Sequence, residues 1–123
     1  MPDKWDTTPS VLVIGHDPRA VPGVGGEALR AALDAELARF GAHGIDAAGA
    51  PALYDEAAEP TVVAALTVRP WDVVAVGGGI REAEPLLLLF EQVVNLIRLH
   101  SPQVAIVFDT SIADSFETAG RRL

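Results

Sequence analysis

The 123-residue chain contains no cysteine, which excludes disulfides, thiolate metal ligands and cysteine nucleophiles in one step. It has one lysine, Lys4, and nine basic side chains in all against seventeen acidic ones, for a formal net charge of -8. Such a balance repels a phosphate backbone unless basic residues are concentrated somewhere, and Arg121-Arg122 is the only adjacent basic pair, so no nucleic-acid partner is expected. Long apolar runs are missing too. The run from Leu86 to Phe90 falls far short of the roughly 20 residues that cross a bilayer, so no membrane partner is expected either. The opening MPDKWDTTPS has no apolar signal-peptide core, and a cytoplasmic location is the expectation.

Several chemistries lack their residues. His16, His43 and His100 are too far apart for metal-ligand spacing, no H-E-x-x-H occurs, and no metal site is expected. Lys4 lies outside any glycine loop, so there is no P-loop, and Ser111 lacks the flanking glycines of a nucleophile elbow. No segment recurs as a repeat.

What is present is a well-ordered composition, 50% hydrophobic and 21% charged, of a length that suits a single domain over 1–123. The most informative stretch is DVVAVGGGIR at 72–81, where an uninterrupted run of β-formers enters three glycines. Such a run reads as a strand buried on both faces, and VLVIG at 11–15 reads the same way. Around them we expect a helix from Gly26-Glu27 stopped by Gly41 and Gly44, and a short or edge strand at 45–50, weak because of its alanine and glycine. A helix over 56–68, with Val62, Val63, Leu66 and Ala58 inward, is ended by Pro70. A helix over 85–100, a strand over 103–108 and a polar helix over 113–122 complete the chain. The 85–100 helix is apolar nearly all round and is expected to be buried on more than one side.

Four strands alternating with four helices must form a parallel sheet with right-handed crossovers. The expected fold is α/β, three layers, Rossmann-like or flavodoxin-like, in strand order 2-1-3-4, with the first helix on one face and the later helices on the other. In that order a crevice opens between strands 1 and 3, and the loops 15–26, 77–84 and 109–113 converge on it.

Three residue groups on that rim could carry chemistry. Gly77, Gly78, Gly79 and Arg81 offer free backbone N–H groups, a helix start and a guanidinium, the parts of an anion cradle. Alternatively the glycines only permit a tight turn, and Arg81 pairs with Glu82 or Glu84. Gly23, Gly25 and Gly26 do not make a dinucleotide fingerprint, because His16-Asp17-Pro18 follows Gly15 where the first glycine should stand. His16 and Asp17 end a strand where an acid–base pair could be placed, or Asp17 caps the turn before Pro18. Asp109, Thr110 and Ser111 bring a carboxylate and two hydroxyls, either to a ligand or to the cap of the last helix. His43 and His100 suit helix C-termini, and Trp71, which precedes its strand, belongs at the opposite rim.

Over residues 72–111, the strand ending in GGGIR, the helix ending in VVNLIRLHSP and the strand ending in FDTS resemble a group of small bacterial Rossmann-like proteins of uncharacterised function. Their last motif more often carries asparagine where this chain has Asp109. The resemblance implies the fold and the rim, and implies no activity.

Three functional readings follow. The first is a small protein that binds an anionic small molecule, a nucleotide or a phosphorylated metabolite, at the glycine-rich rim; no cofactor is named by the residues. The second is a small enzyme using His16 or Asp17 as acid or base. The third is a homodimeric interaction module without ligand, joined through helix 85–100 at positions such as Leu89 and Phe90.

Overall fold

The computed structural model describes residues 8–16, 24–52, 58–77, 87–108 and 115–123. In chain order the elements are β1 (Ser10–His16), α1 (Val24–Ala42), β2 (Asp46–Ala52), α2 (Ala58–Thr67), β3 (Val73–Val76), α3 (Leu87–His100), β4 (Ala105–Phe108) and α4 (Ser115–Gly120). The four strands form one sheet, all parallel, in the order β2-β1-β3-β4. The architecture is therefore α/β and Rossmann-like, with β1 and β3 in the centre.

The central strands are apolar without alternation because both faces are covered. Leu12 and Ile14 of β1 and Val74 and Val76 of β3 point to one core, filled by Ala58, Val62 and Leu66 of α2 and by Leu89, Val93, Leu96 and Ile97 of α3. Val11, Val13, Val73 and Ala75 point the other way, onto Phe40 of α1 and Ala119 of α4. The last helix thus joins the first, not the later ones as the sequence suggested. With α3 on one side of β3 and β4, the residues Val73, Ala75 and Val107 would face water on the other, and α4 closes that face.

The stop of α1 has a Schellman geometry. Gly44 adopts φ +74°, its N–H donates to Gly41 O at 3.1 Å, and Ile45 N–H donates to Phe40 O at 3.0 Å. Ile45 then packs in the same apolar cluster as Phe40. His43 adds Nδ1 at 2.9 Å from Arg39 O, which makes that ring nitrogen the donor to a terminal carbonyl.

β2 is an edge strand as expected but seven residues long. Its poor β composition has a packing cause: a Cβ on Gly49 would sit 3.2 Å from Leu33 Cδ2, so the glycine lets α1 lie close. The end of α2 is closed by its own last residue and by two side chains from beyond it. Thr67 Oγ1 donates to Val63 O at 2.8 Å, Trp71 Nε1 to Ala65 O at 2.8 Å, and Ser101 Oγ to Leu66 O at 3.3 Å.

α3 corrects a second expectation. Its buried residues, Leu89, Val93, Leu96 and Ile97, make one stripe, while Leu87, Leu88 and Leu99 are exposed, so the helix is covered on one side only among the described residues. Leu89, fully buried against the sheet, belongs to the core and not to any outer contact surface. Among the described residues no helix is long and apolar enough to cross a membrane.

Candidate functional site

The register of the sheet sets the site's frame. Ile14, Val76 and Phe108 are partners across β1, β3 and β4, so β3 and β4 run out level at their carboxyl ends while β1 continues two residues further, to His16. β1 hands its chain to α1 on one face, while β2 returns through α2 on the other and enters β3 beside β1. The topological switch point, where adjacent strands send their connections to opposite faces, therefore lies between β1 and β3. Both α1 and α3 follow strands that end at this edge, so their amino ends, with the positive end of the helix dipole, are turned toward it. The first turn of α1 carries Glu27, whereas the first turn of α3, as described, carries no acid.

Two candidate residues can be placed. His16 is the last residue of β1 and pairs in register with Ala52 at the carboxyl edge. Gly77 directly follows β3, is buried, and donates its N–H to Ile14 O at 2.8 Å. That amide continues the β1–β3 ladder, so it is not among the free donors expected of the glycine run; an anion cradle would have to begin at the next glycine. Asp17, Gly78, Gly79, Arg81, Asp109, Thr110 and Ser111 lie outside the described residues. Comparison with protein-family models and with curated proteins gives no match for the chain.

The opposite edge of the sheet holds features that sequence reasoning missed. Ser10 and Asp72 lock the amino ends of β1 and β3 together: Asp72 Oδ2 accepts from Ser10 N at 2.9 Å and from Ser10 Oγ at 3.3 Å, while Asp72 N–H donates to Ser10 O at 3.1 Å. Beside them is a hollow of about 500 Å³ lined by Thr8, Ser10, Arg69, Trp71, Asp72 and Gln103, among others. Arg69 lies over the Trp71 ring at 5.1 Å and pairs with Asp46 at 3.3 Å. These groups are paired with one another, which suits strand alignment. Trp71 is indeed at this edge, away from the switch point.

A further polar cluster joins α1 to α4. Buried Glu36 accepts the Phe116 N–H on Oε1 at 3.0 Å and faces Arg39 Nη1 from Oε2 at 3.4 Å; Arg39 Nη2 also reaches Glu117 at 2.7 Å and lies over the Phe116 ring. The hydrogen bond to Glu117 holds the exposed Arg39 guanidinium above its ordinary pKa. Among the described residues no group of three or more histidine, aspartate or glutamate side chains could hold a metal ion.

Proposed function

We propose that the protein binds an anionic small molecule, a nucleotide or a phosphorylated metabolite, at the carboxyl edge of the sheet between β1 and β3. The observation that carries this reading is the strand order β2-β1-β3-β4, because open parallel sheets take ligands in the crevice outside the carboxyl ends at the switch point. Two helix amino ends at that edge favour negative charge. In this reading Gly78 and Gly79 present amides, Arg81 meets the anion, and Asp109, Thr110 and Ser111 close the third side. Thermal-shift screening of nucleotides and sugar phosphates, followed by calorimetry, tests it. Loss of a guanidinium–anion bond removes roughly 1.5–3 kcal/mol, so Arg81→Ala should weaken binding about ten- to a hundred-fold with the fold intact. A ligand whose affinity ignores that substitution binds elsewhere.

His16, closing β1 at the same edge, favours a second reading in which the bound anion is also turned over. His16→Ala would then abolish turnover and spare binding.

A further inference from the structure

We propose that the open edge of β4, together with the flank of α3 beside it, is the contact surface for a second copy of this chain related by a two-fold axis. β4 is the last strand of the sheet and pairs only with β3 among the described residues. Ala105 N–H donates to Asp72 O at 3.1 Å, and strand groups alternate sides, so Ile106 and Phe108 turn their N–H and C=O outward. An antiparallel copy centred on Val107 would set Ile106 opposite the partner's Phe108, an aromatic–β-branched pair, and join two four-stranded sheets into one.

The flank of α3 extends the same surface. Leu87 is exposed and Phe90 and Val94 are half-buried, and their spacing places them on one stripe of the helix. The Phe90 ring lies 5.8 Å from the ring of Phe108, itself 41% exposed, so this stripe is on the β4 side. Farther along, a hollow of about 230 Å³ between α3 and β4 is lined by Ile97, Arg98, Ser101, Pro102, Val104 and Ile106.

Charge selects the occupant. On a chain of net charge -8, only one of the seventeen acidic side chains, Glu91, falls within 87–108. Two copies repel each other over most of their surfaces and less here. Glu91 and Arg98 lie seven residues apart on the outer shoulder of the α3 flank. A two-fold axis runs the partner's α3 antiparallel, which carries each glutamate toward the opposite arginine, twice per dimer.

Sedimentation of the wild-type protein from micromolar to millimolar concentration should give a dimer; a monomer throughout would overturn the proposal. Ile106→Pro removes a donor that has no partner among the described residues, so the β3–β4 ladder survives while the edge can no longer pair. The folded variant should be monomeric, and a folded variant that still dimerises would count against the pairing. The charge exchange does not depend on how that variant folds. Glu91→Arg and Arg98→Glu should each weaken dimerisation roughly ten-fold, since each change alters two contacts, and the double variant should recover it. Single exchanges without effect, or a double variant no better than either, would refute the two-fold arrangement.

Discussion

Glu36 offers the sharpest test of how the fold is held. It is a carboxylate only 5% exposed, contributed by the middle of α1, and its Oε1 accepts the Phe116 N–H at 3.0 Å in the first turn of α4. The first amides of a helix have no partner within it, and here the partner comes from a residue 80 positions earlier. A hydrogen bond to a charged acceptor contributes about 1.5–3 kcal/mol, so Glu36→Ala should cost about 2 kcal/mol. For a domain of 123 residues that corresponds to a Tm lower by roughly 8 °C. Glu36→Gln keeps an oxygen acceptor of the same shape and loses the charge, and should cost about half as much. The neighbouring Arg39–Glu117 pair is solvent-exposed, so its contribution should be small and should vanish at high salt, whereas the Glu36 effect should persist. Urea and thermal unfolding followed by circular dichroism, at low and high salt, give all of these values. A Glu36→Ala protein within about 0.5 kcal/mol of wild type would mean that α4 is held by apolar packing alone and that the argument from its amide is wrong.

Other substitutions probe other joints. Gly49→Val forces the Leu33 tip, 3.2 Å from the added Cβ, to move, and should destabilise by about 1–3 kcal/mol in urea titrations; adding Leu33→Ala should return part of that loss. Trp71→Phe keeps the ring in the core but strands the Ala65 carbonyl, which should cost about 1–2 kcal/mol of unfolding free energy. Native-state hydrogen exchange should find the slowest amides in β1 and β3 and faster ones in β2, since the first two are flanked by strands on both sides; slower exchange in β2 than in β3 would contradict the observed strand order.

Much of the architecture is legible from local pattern. VLVIG and DVVAV announce strands covered on both faces, and the 41–44 glycines announce the end of α1, because strand burial and the left-handed turn at Gly44 are properties of short stretches. Strict alternation of strands and helices then allows few parallel topologies, and the order 2-1-3-4 follows with its switch point. The position of the switch point was legible for the same reason: it depends on strand order and direction and not on any one side chain.

What sequence alone determined, then, is which residues are apolar enough to be buried and where the chain must turn. Which neighbour does the burying was decided only in three dimensions. The surplus of leucines in α3 reads as all-round burial, yet among the described residues the sheet and α2 cover one stripe of it, so Leu89 is enclosed while Leu87 and Leu88 are exposed on this chain. The glycine of β2 looks like weak strand chemistry until Leu33 is seen against it, and Gly77 looks like a free amide until Ile14 is found to accept it. Glu36 reads as an ordinary surface charge on a helix until α4 folds back over α1 and supplies its partner. Each of these outcomes depends on contacts between residues remote in sequence, and periodicity within a single element carries no information about them.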